Sequence, residues 1–134
     1  MTDNLKIELS FSHVSEIETG ITYVRFKNDQ EVDLAAAKTL NAARQKINGT
    51  KPFYSLVNMA AVYGSVSKEA QTYWARECET AKQIKFEAII VNSLPVRIIA
   101  KNYIKQFKPL FKIQLFKNKE LALAAIHKEM KKDS

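Results

Sequence analysis

The sequence predicts an α/β fold in which four helices pack on a mixed five-stranded sheet, in the order β-β-α-β-α-β-α-β-α. From residue 33 onward, short apolar strands alternate with helical segments, which is typical of right-handed crossovers and a mainly parallel sheet. Two consecutive strands precede this region, and they predict an antiparallel edge. At 134 residues the chain fits one domain, with a core expected over about residues 5–130.

The two opening strands are predicted from their residue patterns. Apolar and polar residues alternate over Leu5–Phe11, which indicates a half-buried strand. The stretch Ile21–Phe26 is rich in β-branched and aromatic residues, which favour a strand. We expect these two strands to pair antiparallel, with the polar segment His13–Thr19 as their connector. The alternative is that part of this connector is itself extended.

The stretch Phe53–Trp74 contains the transition on which the functional argument depends. Phe53–Met59 is a short apolar run bounded by turn signals, which predicts a buried strand. A loop with Gly64 follows, and a helix is predicted from about Ser67 to Gln83. The free backbone N–H groups of that helix would lie at the strand's carboxyl end, where ligands and partners usually bind in open α/β sheets.

The remaining elements are predicted from caps and periodicity. Asp33 and Asn118 are N-caps for the first and last helices, and Gly49 ends the first. A strand over Phe86–Val91 leads to a third helix, for which the expected features are the cap Ser93, the span Val96–Phe107 and the stop at Lys108-Pro109. The last strand is Phe111–Phe116, and the inward-facing residues expected in the last helix are Leu121, Ala124, Ala125 and Met130.

The net charge of +7 lies in the last third of the chain. Residues 1–92 contain 11 basic and 11 acidic residues, whereas residues 93–134 contain 10 basic and 3 acidic ones. Four cations recur at i, i+4, i+8 and i+11 on one face of the third helix, and we call Arg97, Lys101, Lys105 and Lys108 the basic ridge. The ridge fits a merely solvated face, an acidic protein partner or anionic lipid. Nucleic acid is disfavoured, because the aromatic residues between the cations fit core positions better than a stacking platform.

The run Tyr54-Ser55-Leu56-Val57-Asn58-Met59, followed by Gly64-Ser65-Val66-Ser67 at the start of a helix, resembles the STAS-type domain. Anti-sigma-factor antagonists are its best-known bacterial members, and small stand-alone relatives share the fold. The resemblance covers roughly residues 7–130 and implies a regulatory domain with a phosphorylatable serine at this helix start. Ser67, or alternatively Ser65, matches that serine, although either also fits a plain helix N-cap. Asn58 replaces the family's strand-end Asp, and Val66 and Lys68 depart from its motif.

Catalysis, cofactors and metals are not predicted. Cys78 is the sole cysteine and lies on an apolar helix face, so we expect a small core residue and no intrachain disulfide. His13 and His127 belong to no metal or nucleophile pattern, and three glycines do not form a phosphate-binding loop. The N-terminus lacks the features of a signal peptide, and a cytoplasmic location is expected.

The sequence therefore predicts a non-catalytic regulatory or protein-interaction module. Its contact face is expected at the strand-end loops 58–67 and 92–95, with the basic ridge attracting an acidic protein partner. The expected contacts in these loops are Asn58, Tyr63, Gly64, Asn92 and Ser93. The alternative is a small anionic or lipid-like ligand bound near the same loops, beside Tyr63. A homodimer through the exposed edge strand Leu5–Phe11 is a further alternative.

Overall fold

A computed structural model describes residues 5–27, 31–60 and 66–134. The described strands form one sheet in chain order: β1 (Lys6–Glu8), β2 (Ser12–Glu18), β3 (Ile21–Phe26), β4 (Phe53–Asn58), β5 (Ile84–Ile90) and β6 (Ile113–Phe116). The α-helices are α1 (Leu34–Asn48), α2 (Lys68–Thr72), α3 (Leu94–Phe107) and α4 (Lys119–Asp133).

The sheet is mixed, as the sequence predicts. β1, β2 and β3 pair antiparallel, whereas β3 to β6 are parallel neighbours. The described part of the chain has six strands rather than five, because most of the predicted connector is β2. This strand lies between β1 and β3, so the prediction that the two opening strands pair directly was wrong. Val14 in this strand is fully buried and pairs with Ile7 on one side and Val24 on the other.

The consecutive strand order decides on which face each helix lies. Right-handed crossovers between successive parallel strands place α1, α2 and α3 on the same face of the sheet. After β6 the chain returns as α4 across the opposite face, where Ala122 and Ile126 are fully buried against Leu56 and Phe86. The prediction that Leu121 and Ala124 face inward was wrong, and both are exposed. The helix packs instead through Ala122 and Ile126, which lie one or two positions further along the chain.

The predicted helix boundaries are mostly confirmed by their caps. The Asp33 carboxylate accepts a hydrogen bond from Ala36 N at 2.8 Å, and Asn118 Oδ1 accepts from Leu121 N at 2.9 Å. Gly49 ends α1 with a φ of 60°, and Lys108 ends α3 in the left-handed conformation before Pro109.

The predicted second helix is divided into three short pieces. After α2 comes a π-helical turn, Tyr73–Glu77, which ends with a hydrogen bond from Cys78 N to Tyr73 O at 2.7 Å. Cys78 has an extended backbone, and the 3-10 turn Glu79–Lys82 follows it. The 3-10 turn is held against α1, since Asn41 Oδ1 accepts a hydrogen bond from Thr80 Oγ1 at 2.7 Å. This tertiary contact competes with continuation of a regular helix.

Candidate functional site

The basic ridge lies on the outside of α3. Arg97, Lys101, Lys105 and Lys108 are all exposed, while Val96, Ala100 and Tyr103 on the other side of the helix are buried. Among the residues that the structure describes, no acidic side chain forms an ion pair with any member of the ridge. The four charges therefore face solvent without a described counter-charge.

Two apolar side chains share this surface. Leu94 is 70% exposed and Ile98 is 50% exposed, and both lie within one helical turn of Arg97 or Lys101. We call Leu94, Ile98 and the basic ridge the α3 outer face. Leu94 and Ile98 were not among the predicted contact residues, although their spacing from Lys101 and Lys105 is that of one helix face. Leu94 and Ile98 are four residues apart, so they are neighbours on the helix surface and flank the cations.

The loop residues predicted as contacts are separated by the fold. Asn92 is exposed and Ser93 is half-buried, and both directly precede α3, so they extend the α3 outer face. The Asn58 side chain instead donates to Tyr23 Oη at 3.0 Å, and Tyr23 packs with the residues under α4. Asn58 is thus directed to the opposite face of the sheet. Tyr63, Gly64 and Ser65 lie outside the described residues.

Ser67 is the N-cap of α2, as one of its two predicted roles requires. Its hydroxyl accepts a hydrogen bond from Ala70 N at 3.1 Å, and its backbone N–H donates to Val32 O at 2.9 Å. The residue is half-buried. Capping accounts for a serine at this position, and phosphorylation of Ser67 or Ser65 stays a prediction.

A buried polar cluster that the sequence argument did not identify lies between α1 and the sheet. Arg44 is 4% exposed and Glu87 is 5% exposed, and Arg44 Nη2 lies 3.2 Å from Glu87 Oε1. Ser55 Oγ donates to the same carboxylate oxygen at 2.7 Å and accepts from Arg44 Nη2 at 2.9 Å. The signal was present: Glu87 interrupts the apolar strand β5, and Arg44 lies one helical turn after the buried Leu40.

An apolar cavity of about 50 Å³ adjoins this cluster, between the sheet and α1, the π-helical turn and α3. Its wall is mostly apolar, and it includes Leu40, Met59, Ile89, Ile99, Ala100 and Phe111. A groove of about 200 Å³ between α2 and α3 shares Val66, Gln71 and Ile99 with the cavity. The groove and the cavity are therefore neighbours, separated by these shared side chains.

Two residues that line the cavity, Arg44 and Trp74, each have a buried side-chain donor without a described partner. Arg44 Nε and Trp74 Nε1 are buried and form no hydrogen bond with the residues in the three described ranges. A buried donor without a partner costs about 1–3 kcal/mol in general, so such atoms often indicate a bound water or ligand. Trp74 belongs to the π-helical turn, and such turns are frequent at functional sites.

The two histidines lie away from this cavity and from each other. His13 pairs with Glu8, and His127 Nε2 lies 2.9 Å from Glu18 Oε1 at a separate place. Burial raises the pKa of the Cys78 thiol and of the Tyr103 hydroxyl, so both groups are neutral at physiological pH. Within residues 5–27, 31–60 and 66–134, no group of three His, Cys, Asp or Glu residues is arranged to hold a metal ion. None of the described helices is long and apolar enough to cross a bilayer.

Comparison with known proteins gives a family and a fold. The family model of a domain of unknown function, DUF7793, matches residues 15–128. An uncharacterised protein of the DUF3478 family with a SpoIIAA-like fold, from Shewanella loihica PV-4, superposes with a TM-score of 0.60 at 17% identity. The match covers 92% of this chain and 97% of the Shewanella chain. No curated protein matches the sequence. The predicted STAS-like α/β fold is confirmed, and at this identity the comparison shows the fold alone.

Proposed function

We propose that this chain, which belongs to the family of the domain of unknown function DUF7793, is a non-catalytic protein-interaction module of the bacterial cytoplasm. The observation that carries the proposal is the α3 outer face. It combines four exposed cations with Leu94 and Ile98, which are 70% and 50% exposed. Burial of these apolar side chains would favour binding, while the cations would set the orientation and the rate of association.

The partner in this proposal is a protein with an acidic surface. The segment 93–117, which contains the α3 outer face, has no Asp or Glu. No acidic side chain of this segment would therefore repel an approaching carboxylate. Charges at such an exposed surface are screened over about 10 Å at 0.1 M salt, so the association should weaken as salt is added.

The test uses a charge reversal, Lys101→Glu with Lys105→Glu, and a matched reversal, Lys128→Glu with Lys131→Glu. Both pairs are exposed, but the second lies on α4 at the opposite face of the sheet. Both variants change the net charge equally, so a nonspecific charge effect would appear in both. The immobilised wild-type protein and the variants are exposed to lysate of the native cells, and captured proteins are identified and then titrated as purified partners.

We expect the α3 variant to bind an acidic partner at least about tenfold more weakly, with a reduced salt dependence, while the α4 variant binds like wild type. Equal losses in the two variants would contradict the role of the α3 outer face. Binding to vesicles that contain anionic phospholipid, without a protein partner, would replace the proposed partner by a membrane surface.

The small-ligand alternative is a second candidate function, and the cavity supports it. Ligand sites in proteins are usually concave, mostly apolar and supplied with a few polar groups, which is the composition of this wall. The cavity lies on the inner side of α3, whereas the proposed partner surface lies on its outer side. The two functions can therefore be tested by different substitutions.

A further inference from the structure

We infer that the outer edge of β6 binds an extended acidic segment of the partner protein, which continues the sheet as a further strand. This inference rests on the proposed function, because it specifies how the acidic partner binds. It adds backbone hydrogen bonds at the sheet edge to the attraction by the α3 outer face.

The strand β6 is at one edge of the sheet, and half of its backbone groups point away from the sheet. The strand β5 donates hydrogen bonds to the carbonyl groups of Lys112 and Phe116, at 2.9 and 2.8 Å. Parallel neighbours bond through alternate residues, so Lys112, Gln114 and Phe116 face β5. The N–H and C=O groups of Ile113 and Leu115 therefore point outward. Within the described ranges, no backbone hydrogen bond joins them to another strand or loop.

The apolar side chains of this edge are only partly covered. Ile113 and Leu115 are half-buried and pack against the core beneath α1 and α3. In β5, Ile89 lies beside Leu115 on the same face of the sheet and is 4% exposed. The difference arises because β5 has a neighbouring strand on both sides. A strand added to β6 would therefore bury apolar surface and also supply partners for the outward backbone groups.

The cations of α3 beside this edge favour an acidic segment. Ile99, Asn102 and Gln106 line the groove against α2, and each residue turns an α-helix by about 100°. Arg97 and Lys101 therefore lie on the flank of α3 that faces away from α2. Because α2 precedes β5 and α3 follows it and packs on β6, this flank is on the β6 side.

The residues at the two ends of β6 add to this positive charge. Lys112 and Lys117 flank the strand, and both are exposed. Lysines at a sheet edge oppose pairing between two copies of a chain, because like charges would meet. The same lysines attract a segment that contains Asp or Glu. At the opposite edge the charge is mixed, since Glu8 of β1 pairs with Lys27 and His13.

Amide hydrogen exchange of the whole chain, followed in ¹⁵N–¹H correlation spectra, tests this mode of binding. The probes are three synthetic peptides of about seven residues, the length of an ordinary strand. The first alternates glutamate and valine, the second alternates lysine and valine, and the third is the first with methylated backbone nitrogens.

The exchange pattern of β6 should change with the glutamate peptide. In the free protein the outward amides of Ile113 and Leu115 should exchange rapidly, and those of Gln114 and Phe116 slowly. With the glutamate peptide at about ten times its Kd, exchange at Ile113 and Leu115 should slow about tenfold. The lysine peptide and the methylated peptide should bind at least about tenfold more weakly, since one lacks the negative charge and the other lacks the donors.

A proline substitution tests the same edge from the protein side. Leu115→Pro removes an outward N–H and should weaken binding of the glutamate peptide at least about tenfold. The control is Lys6→Pro in β1, where Leu5 and Leu9 bond to β2 and Lys6 points outward at the opposite edge. This control should bind the peptide like wild type. Circular dichroism verifies that each variant is folded, and the methylated peptide tests the contact on the unaltered protein.

Each result supports or overturns the inference. Absence of saturable binding of the glutamate peptide would overturn it, and so would equal binding of the methylated peptide. Equal binding of the lysine peptide would overturn the acidic class of segment. Protection of Ile113 and Leu115 that grows with protein concentration, without peptide, would assign the edge to a second copy of the chain.

Failure of the inference can be distinguished from failure of the proposed function. If the glutamate peptide binds without protecting Ile113 and Leu115, the edge is not the docking site, although the α3 outer face can still bind an acidic partner. Equal loss of the protein partner in the α3 and α4 charge reversals would contradict the proposed function itself.

Discussion

The pair between Arg44 and Glu87 offers the sharpest test of the core architecture. Replacing Arg44 by Met removes the cation and leaves Glu87, only 5% exposed, as a buried charge with Ser55 as its remaining described partner. Breaking a buried ion pair from one side typically costs about 3–5 kcal/mol in the free energy of unfolding. With a urea m-value of about 2 kcal/mol/M, the unfolding midpoint should fall by about 1.5–2.5 M.

A surface pair of the same length provides the control. Lys112 Nζ and Glu129 Oε1 are also 3.2 Å apart, but the Lys112 side chain is 55% exposed. Lys112→Met should cost less than about 1 kcal/mol, because Lys112 faces solvent and Glu129 keeps Lys132 Nζ at 3.8 Å.

The second arm of the experiment is Glu87→Gln in the Arg44→Met background. The substitution removes the unpaired charge and keeps an oxygen that can accept from Ser55. We expect it to recover about 2 kcal/mol of the lost stability. Equilibrium unfolding in urea, followed by Trp74 fluorescence and by circular dichroism, measures all four proteins. If Arg44→Met shifts the midpoint no more than Lys112→Met does, the pair is not buried as described and the reasoning is refuted.

Two further predictions follow from buried ionisable groups. Burial, together with the hydrogen bond to Asp133, raises the pKa of Tyr54 to about 12. This folded-state pKa exceeds the unfolded value of about 10. The protonated Tyr54 hydroxyl therefore contributes stability that is fully present below pH 10 and is lost as the pH rises towards 12. The difference between the alkaline titrations of wild type and Tyr54→Phe should be one phenolate that forms near pH 12, and identical curves would contradict this prediction. Cys78 is 2% exposed, and burial raises the pKa of its thiol. A disulfide reagent should therefore react with Cys78 slowly in the native protein and promptly in urea. A rapid reaction in the native protein would show that the thiol is accessible.

Local signals in the sequence were sufficient for several elements. The apolar run of β4 predicted a buried strand, and Asp33, Gly49 and Asn118 predicted helix ends that the structure confirms. Local signals were weaker for β2, since polar residues dominate Ser12–Glu18 and the strand is fixed by its two neighbours. The second helix has good local spacing, but the contact between Asn41 and Thr80 favours a 3-10 turn there.

The candidate site was predictable in part for the same reason. The spacing of the basic ridge is a property of one helix, so the sequence could place its four cations on a common face. The cavity is built from α1, β5, the π-helical turn and α3, which are distant in sequence, so no local pattern marks it. Arg44 and Glu87 are 43 residues apart, so neither position by itself indicates that the two side chains meet.

Periodicity and capping act within a few residues, so they were sufficient to predict the layered α/β class, the strand and helix order from Asp33 onward, and the cationic face of α3. Tertiary packing was needed to bring Arg44 to Glu87 inside the protein, to place Trp74 beside a cavity, and to direct Asn58 away from the basic ridge. These arrangements depend on which strands become neighbours and on which face each helix packs. Burial and long-range pairing of that kind bring together groups whose positions along the chain are unrelated.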